Sequence, residues 1–328
     1  MLMGCRAASA EILFSAKGDA SQSTGLPIYQ WSDPAVSAKA TVIIVHGLTQ
    51  EAASPQVLAE DLAKHHYLVL SLDQRGHGRR RDGTFKKGKT VDYRQSLDDL
   101  RRLCLAARSA HPYIPVICIG ESAGSSVIVQ SARKDPKLMD GMVLSSAGTR
   151  PRVFNLTWLI PDFLSNIGRL NHPVDLRRYI SKYASNDPQI IAEMVSDPLN
   201  RNFMSGHELV GTMKFIWLTR FAAKHVSSET PLLMVQGAKD NVLMTYTIRP
   251  LFNRFSSTDK KLVLFPQYGH VLLGTKYIQK DVVQTVESWL DNQVGRNGTG
   301  LITQKIEPSA PIEFPTNIQS NHAVLNQP

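Results

Sequence analysis

The stretch VICIGESAGSSVIVQ, residues 116–130, decides the fold of this chain. An apolar, β-branched run stops at a glycine, a serine follows between small residues, and a second apolar run begins at once. A strand can turn this sharply into a helix only where side chains do not obstruct the backbone, and Gly120 and Gly124 meet that need. The pattern predicts a strand, a tight turn through Gly120, Glu121 and Gly124 that exposes the Ser122 hydroxyl, and a helix to about Arg133.

Similar apolar runs recur and alternate with helical patterns. Runs without polar alternation predict buried parallel strands at 41–45, 67–71, 116–119, 141–144, 232–235 and 261–265. Helices are predicted near 55–65, 91–111, 122–133, 245–255 and 276–292. Segments 11–14 and 27–31 are expected to pair as a hairpin around the loop 17–25. This order predicts an α/β fold, with a mostly parallel central sheet and helices on both faces.

One connection is too long to be an unstructured loop. About eighty residues separate the strand that ends near residue 144 from the one that begins near residue 232, so this segment must hold a subdomain. We expect a core made of residues 11–149 and 231–293, interrupted by a mainly helical insert at 150–230. Residues 1–10 form a separate N-terminal segment, and the polar composition of 294–328 predicts a disordered tail.

Three stretches of the insert carry apolar residues: TWLIPDFLSNIG at 157–168, a helical stretch near 174–195, and HELVGTMKFIWLTRFAAK at 207–224. Packing against the core is the simpler interpretation of these residues. Methionine and aromatic side chains above a cleft can also surround an acyl chain. Trp158, Met213 and Trp217 are therefore candidate substrate contacts.

The charge balance favours anionic partners, since 37 Lys and Arg stand against 28 Asp and Glu, a net charge of +9. Seven basic residues fall in RGHGRRRDGTFKKGK, residues 75–89, which is either a solvated loop or a contact with an anionic membrane surface. No nucleic-acid partner is expected, because no binding module and no interleaved aromatic residues accompany the charge. Apolar runs are far shorter than the roughly 20 residues that cross a bilayer, so no spanning helix is expected.

The three cysteines do not predict a disulfide framework. Cys104 and Cys118 fall in a helical pattern and a core strand, where buried thiols are expected. Cys5 ends the stretch LMGC, which is similar to a truncated bacterial lipobox. Two compartments stay open: the cytoplasm, or the cell envelope if the natural start lies upstream and Cys5 carries a lipid.

A serine hydroxyl becomes a strong nucleophile only when a base removes its proton and an acid orients that base. Asp240 comes just after a predicted strand in VQGAKDNVL, and His270 comes just after the next strand in FPQYGHVLL. Because the carboxyl ends of parallel strands meet at one edge of a sheet, both residues can reach Ser122. The sequence therefore predicts the triad Ser122, His270 and Asp240.

Two further histidines follow strands at this edge. His46 could act as the base, but a His-Gly turn here is better suited to shape an oxyanion pocket, formed by the backbone N–H groups of Leu48 and Ala123. His77 lies in DQRGHG and is expected to stabilise a tight turn around Asp73.

These motifs, in this order, resemble the α/β-hydrolase superfamily over about residues 10–293. Their spacing is similar to the monoacylglycerol lipase and lysophospholipase branch, also grouped as serine aminopeptidase-like hydrolases. The resemblance implies hydrolysis of small lipid esters such as monoacylglycerol or lysophospholipid through an acyl-serine intermediate, with the insert as a cap over an acyl tunnel. It calls for no metal and no organic cofactor.

The sequence departs from that branch at two places. Glu121 and Ala123 flank the serine where the branch has His and Met, and the acid after the His-Gly turn shifts to Glu51. GESAG also occurs in other carboxylesterases. A broad-specificity carboxylesterase, a thioesterase, a peptidase or amidase, and a non-catalytic binding protein on the same fold stay as alternatives, and the oligomeric state is not predicted.

Overall fold

The computed structural model describes residues 13–15, 18–81, 91–152 and 172–298. Its strands are β1 (Leu13–Ser15), β2 (Ile28–Ser32), β3 (Ala40–Val45), β4 (Tyr67–Leu72), β5 (Val116–Glu121), β6 (Gly141–Ser145), β7 (Pro173–Asp175), β8 (Phe203–Ser205), β9 (Leu232–Gly237) and β10 (Lys260–Phe265). Its helices are α1 (Asp19–Thr24), α2 (Gln56–Lys64), α3 (Tyr93–Ala110), α4 (Ala123–Lys134), α5 (Arg177–Tyr183), α6 (Pro188–Ser196), α7 (Gly206–Ala222), α8 (Ile248–Arg254) and α9 (Lys280–Gly298).

Eight strands form one sheet in the order β1-β2-β4-β3-β5-β6-β9-β10. The pairs β1-β2 and β2-β4 are antiparallel, and the pairs from β4 to β10 are parallel. β3, β4, β5, β6 and β9 are buried along their whole length, as their mainly apolar sequences predict. The burial predicted for 261–265 is wrong, because β10 lies at the edge of the sheet and is only partly buried. The predicted mostly parallel sheet is confirmed.

Helices cover both faces of this sheet. One apolar cluster lies between the sheet and helices α3, α4 and α8, and it includes Leu100, Val127 and Leu251. The other lies between the sheet and helices α2 and α9, and it includes Leu62 and Trp289. None of the helices in the described residues combines the length and the apolar character that crossing a membrane requires.

The prediction of a loop at 17–25 is wrong in part, because this segment contains the short helix α1. Its sequence, DASQST, has no apolar periodicity, so tertiary contacts must stabilise it. Ala20 is buried in the core, and Gly25 ends the helix with φ of 63°. The strands on either side do pair antiparallel, as the hairpin prediction requires.

The prediction of one continuous helical stretch near 174–195 is wrong, because this segment forms two helices, α5 and α6. Pro188 stands at the first turn of α6 and cannot continue a preceding helix. The side chain of Asp187 accepts a hydrogen bond from the N–H of Gln189 at 2.8 Å and so caps the new helix. Strands β7 and β8 pair antiparallel on either side of these helices.

The predicted start of the tail at residue 294 falls inside α9, which continues to Gly298. Val294 packs against the second apolar cluster, and Arg296 forms an ion pair with Asp259 at 2.5 Å. These contacts extend the helix beyond the point where its composition turns polar. Residues 1–12 and 299–328, which include Cys5 and most of the predicted tail, lie outside the described residues.

Arg201 pairs with Glu208 inside the described part of the insert and also connects the insert to the core. Arg201 and Glu208 lie 2.6 Å apart, and both side chains are 2% exposed. The Arg201 guanidinium also donates to the Gly76 carbonyl at 2.7 Å, and the Arg201 backbone N–H donates to the Thr49 carbonyl at 2.6 Å. The insert therefore contacts two core loops that follow β3 and β4.

Candidate active site

Ser122 lies at the turn between β5 and α4, in a backbone conformation that non-glycine residues rarely adopt. Its φ is 53° and its ψ is −114°. Side chains at the neighbouring glycines would collide with backbone atoms: a Cβ on Gly124 would lie 2.1 Å from the Val45 carbonyl oxygen, and one on Gly120 would lie 2.6 Å from the Ser125 nitrogen. The GESAG sequence is thus what permits β5, β3 and α4 to approach so closely.

Three residues far apart in sequence meet at the carboxyl edge of the sheet. His270 Nε2 lies 2.9 Å from Ser122 Oγ, and His270 Nδ1 lies 2.8 Å from Asp240 Oδ2. Ser122 is 9% exposed, His270 6% and Asp240 0%. The imidazole can therefore accept the serine proton on one nitrogen while its other N–H donates to the carboxylate. The structure brings together the three residues predicted as a triad.

Asp240 is held in place by several donors. Its Oδ1 accepts the backbone N–H groups of Val242 and Leu243 at 2.8 and 2.9 Å, and its Oδ2 accepts the Gln236 side-chain amide at 2.9 Å. Burial alone would raise the pKa of this carboxyl. The charge of His270 and these hydrogen bonds outweigh burial and hold the pKa of Asp240 below its usual range. Asp240 is therefore suited to orient a histidine without taking its proton.

Opposing effects act on the pKa of His270. Burial lowers the pKa of its imidazole, but the charge and hydrogen bond of Asp240 and the charge of Glu121 raise it, and the raising influences win. A base with a raised pKa holds an abstracted proton more firmly. The environment thus favours the imidazolium that forms when Ser122 attacks.

The predicted oxyanion donors border this site. Ala123 is the first residue of α4, so no carbonyl within the helix accepts its N–H, and the helix dipole favours negative charge there. Leu48 follows Gly47, and a Cβ at Gly47 would lie 3.5 Å from the Cβ of Ser122. The His-Gly turn therefore lies against the nucleophile. The role of Leu48 and Ala123 as donors stays a prediction.

His46 does not face Ser122 as a base. The Gln74 N–H donates to His46 Nε2 at 3.0 Å, so the proton is assigned to Nδ1, which donates to the Gly47 carbonyl at 2.7 Å. Burial lowers the pKa of this buried imidazole. Nδ1 thus bonds within the His-Gly turn, and Nε2 connects that turn to the loop that follows β4.

His77 lies in the tight turn that the sequence predicts. Asp73 holds that turn through the backbone N–H groups of Ala52 and Arg79, at 2.8 and 3.0 Å. Burial sets the pKa of His77 well below its ordinary value, and electrostatic interactions with His46 and Arg201 lower it further.

Two residues near the triad were not recognised from the sequence as contacts of the His270 turn. Gln50 accepts the Gly47 N–H at 2.8 Å and donates to the Gly274 carbonyl at 2.7 Å, so it joins the His-Gly turn to the loop after His270. Glu121 accepts backbone N–H groups from that same loop, beginning with Leu272 at 2.8 Å. The partners in the loop after His270 lie more than a hundred residues away in sequence, so local patterns contain no signal for them.

The predicted substrate contacts fall in the insert. The Trp217 side chain is 38% exposed, and its ring meets that of Phe221 at 5.0 Å, edge to face. Met213 is half-buried on the same helix. The described contacts of Trp217 thus lie along α7, while Phe215 on the inner side stacks on Tyr93 at 4.1 Å. Trp158 lies outside the described residues, and all three assignments stay predictions.

The basic segment is partly used within the fold. Arg75 and Arg80 both bind Asp99, at 3.0 and 2.6 Å, and the Arg79 guanidinium lies 3.9 Å from the centre of the Tyr29 ring. Residues 82–90 lie outside the described residues. Arg75, Arg79 and Arg80 therefore support the turn after β4, whereas the exposed Arg81 donates to the Pro198 carbonyl of the insert.

The buried thiols are placed as expected, since Cys104 and Cys118 are 0% exposed with their sulfurs 3.8 Å apart. Among the described residues, one group of potential metal ligands clusters within 4.8 Å, formed by Asp61, His65 and Glu287. It lies on helices α2 and α9, and His65 already contacts the Glu287 carboxylate at 3.0 Å. This group is separate from the loops that carry the triad.

Known proteins match this chain over most of its length. It is 26% identical over 268 residues to the monoacylglycerol lipase of Mycolicibacterium smegmatis, covering 80% of this chain and 92% of that protein. It is 24% identical over 270 residues to the monoglyceride lipase homolog of monkeypox virus, with the same coverage of 80% and 92%.

A crystal structure of a soluble variant of monoglyceride lipase from Saccharomyces cerevisiae, in complex with a substrate analog, aligns with a TM-score of 0.69 at 17% identity. The alignment covers 90% of this chain and 97% of that one, and it shows a shared fold. The sequence profile of the family described as Serine aminopeptidase, S33, matches residues 36–276, which is well over half of the chain. The chain belongs to this family of α/β-hydrolases.

Proposed function

We propose that this chain is a serine hydrolase that cleaves carboxylic esters of single-chain lipids, of the monoacylglycerol or lysophospholipid type. The observation that carries the proposal is the continuous relay from Ser122 Oγ through His270 to Asp240, with contacts of 2.9 and 2.8 Å. A non-catalytic protein has no need for a strained, glycine-flanked serine in contact with a buried imidazole.

The geometry supports the following steps. His270 Nε2 accepts the proton as Ser122 Oγ attacks the ester carbonyl, and the N–H groups of Leu48 and Ala123 stabilise the oxyanion. The imidazolium then gives its proton to the departing alcohol, which leaves an acyl group on Ser122. His270 next activates a water molecule, and its attack releases the fatty acid and restores the serine.

The preference for lipid esters rests on the relatives and on the insert. Proteins named as monoacylglycerol or monoglyceride lipases match this chain over at least 80% of its length. We propose that the core is formed by residues 11–149 and 231–293 and that residues 150–230 form a cap over the acyl chain. Trp158, Met213 and Trp217 are the side chains proposed to contact it.

Labelling with a fluorophosphonate tests the nucleophile. The wild-type chain is expected to be labelled, because the probe traps an activated serine, and Ser122→Ala is expected to lose the label. Ser126→Ala is a matched control, since Ser126 lies buried on α4 without a place in the relay. Absence of label on the wild type, or equal labelling of wild type and Ser122→Ala, would contradict the assignment.

The substrate class needs a second experiment. Hydrolysis is compared across p-nitrophenyl esters of rising acyl length, then monoacylglycerols, lysophospholipids, acyl thioesters and aminoacyl amides. We expect the highest kcat/KM on single-chain lipid esters. A higher kcat/KM on short esters, thioesters or amides would favour a broad carboxylesterase, a thioesterase or a peptidase instead.

We also propose peripheral contact with an anionic membrane surface. Exposed Val210, Trp217 and Phe221 lie on α7 together with Lys214 and Arg220, which is a composition suited to the edge of a lipid layer. Sedimentation with phosphatidylserine vesicles is expected to exceed that with phosphatidylcholine vesicles and to fall with salt. Equal sedimentation with both, or none, would contradict the contact.

A further inference from the structure

Glu121 occupies an unusual place for an acidic residue. It is the last residue of β5, it directly precedes Ser122, and it is 4% exposed. Burying a carboxylate is costly unless hydrogen bonds replace its water shell. Hydrogen bonds must therefore replace the water that this side chain loses on burial.

Four donors surround the Glu121 carboxylate. Its Oε1 accepts the backbone N–H groups of Leu272 and Leu273 at 2.8 Å each, as well as the Ser145 hydroxyl at 3.2 Å. Its Oε2 accepts the Gly274 N–H at 3.0 Å. All four partners donate, which is the bonding pattern of an ionised carboxylate.

The segment that Glu121 holds is the turn that carries the base. Leu272 follows His270 by two residues, and Ser122 follows Glu121 directly. In the sheet, however, β5 and β10 are separated by β6 and β9. Without a direct link, the distance between Ser122 and His270 would depend on the positions of two intervening strands. The Glu121 carboxylate provides such a link.

The same carboxylate contributes to the electrostatics of the base. Burial lowers the pKa of His270, while Asp240 and then the charge of Glu121 raise it. Of the charged groups that raise the pKa of His270, Asp240 follows β9 and Glu121 ends β5. Tyr179 on α5 also lies near Asp240. Its pKa is raised first by burial and then by the Asp240 charge. Removing the charge of Glu121 should therefore lower the pKa of His270.

We propose that Glu121 is a positioning residue, which fixes the turn after His270 against the strand end that carries Ser122 and adds negative charge beside the imidazole. The proposal rests on the serine hydrolase function proposed above. It also gives a role to the acidic side chain that directly precedes Ser122.

Two substitutions separate position from charge. Glu121→Gln keeps the size of the side chain but removes its charge. It also replaces one carboxylate oxygen, an acceptor, by an amide NH2 group, a donor that then faces a backbone N–H. Glu121→Asp keeps the charge but shortens the reach. Glu193→Gln is the matched control, because Glu193 accepts the Thr275 hydroxyl at 2.6 Å and the Lys276 N–H at 3.1 Å, at the far end of the same turn.

The first measurement is of kcat and KM, with active sites counted by fluorophosphonate titration. The second is the pH at which kcat/KM reaches half its plateau on the acid side. For Glu121→Gln we expect kcat to fall by up to about 100-fold, KM to change little, and the half-plateau pH to move lower. For Glu121→Asp we expect a reduced kcat with the half-plateau pH close to wild type. Glu193→Gln should match wild type in both.

Wild-type kcat together with a wild-type pH profile in Glu121→Gln would overturn the proposal. In Glu121→Gln, a reduced kcat without a shift of the pH profile would reduce Glu121 to general packing and overturn the proposal as well, and so would an equal effect in Glu193→Gln. If circular dichroism shows that Glu121→Gln does not fold, Glu121→Asp decides: wild-type kcat in that variant overturns the proposal. An inactive wild type would instead refute the proposed function.

Discussion

At the scale of single residues, the site depends on a few side chains whose surroundings set their chemistry. The His270 imidazole combines contact with the serine oxygen and a pKa raised by Asp240 against the effect of burial. The Asp240 carboxyl is kept ionised by its donors. A conservative substitution can change the charge beside His270 or Asp240. The direction in which the pKa then moves follows from the sign of the charge that is removed.

The pH dependence of catalysis is the first expectation. His270 must be neutral to accept the serine proton, so kcat/KM should rise with pH through a pKa above the ordinary histidine value of about 6.5. Asp240→Asn removes the main raising influence, so the half-plateau pH should fall and kcat should drop by about 10⁴-fold. Steady-state kinetics across pH check this, and a profile unchanged by the substitution would contradict it.

The glycine at the end of the elbow gives a stability expectation. In Gly124→Ala the new Cβ would lie 2.1 Å from the Val45 carbonyl oxygen, so backbone must shift and the free energy of unfolding should fall by about 1–3 kcal/mol or more. Gly211→Ala is the matched control, because nothing lies within 4 Å of a Cβ there. It lies within α7 and should gain about 1 kcal/mol. Chemical denaturation measures both, and equal effects would be inconsistent with the collision.

At the scale of elements, the sequence predicted most strands and helices, because buried parallel strands have unbroken apolar sequences and the longer helices show a clear apolar face. It missed α1, whose polar sequence depends on Ala20 being buried and on Gly25 at its end. It also missed the division between α5 and α6, although Asp187-Pro188 is a recognisable start of a helix. The meeting of Ser122, His270 and Asp240 at one edge was predictable because each follows a strand. The bonds of Glu121 and Gln50 were not, because they depend on tertiary contact.

The attachment of α7 is testable at this scale. Glu208 accepts from Arg201 and from the N–H groups of Ser205 and Val91. Glu208→Gln leaves the Arg201 charge buried beside a neutral amide, so the free energy of unfolding should fall by about 3–5 kcal/mol.

Replacing both partners, as in Arg201→Met with Glu208→Leu, should restore much of that loss, since neither charge then stays unpaired. Urea denaturation of the single and double variants measures this. If the double variant loses more free energy of unfolding than the sum of the two single losses, the pair does more than neutralise its own charges.

At the scale of the whole molecule, the sheet gathers the loops after β3, β5, β9 and β10 at one edge and leaves the two apolar clusters intact behind them. Chemistry and stability thus reside in different parts of the same structure. Buried titratable groups at this edge connect the two, because their protonation changes the free energy of unfolding. Glu51 shows the effect most clearly.

Burial raises the pKa of Glu51 from 4.5 to about 7, against a backbone hydrogen bond from Ala53 that lowers it. A folded-state pKa above the unfolded value favours the native state at low pH, and this contribution is lost as the pH rises toward about 7. At pH 8 the buried charge should therefore cost about 3 kcal/mol.

Glu51→Gln should raise the free energy of unfolding by up to about 3 kcal/mol at pH 8. The gain should shrink as the pH falls from 8 toward about 4.5, and Glu229→Gln on the exposed surface serves as the control. Denaturation curves at several pH values check this. A gain of equal size at every pH would be inconsistent with a titrating carboxyl at position 51.

The hydrogen bond from the Arg201 N–H to the Thr49 carbonyl has a consequence for how a substrate would be admitted. Thr49 is adjacent to Leu48, the predicted oxyanion donor, so lifting residues 197–205 away from the core would loosen that donor. A molecule that arrived by this route would meet an incomplete pocket, and only the return of the segment would complete it. Admission and bond cleavage would then occur at separate moments of the turnover cycle.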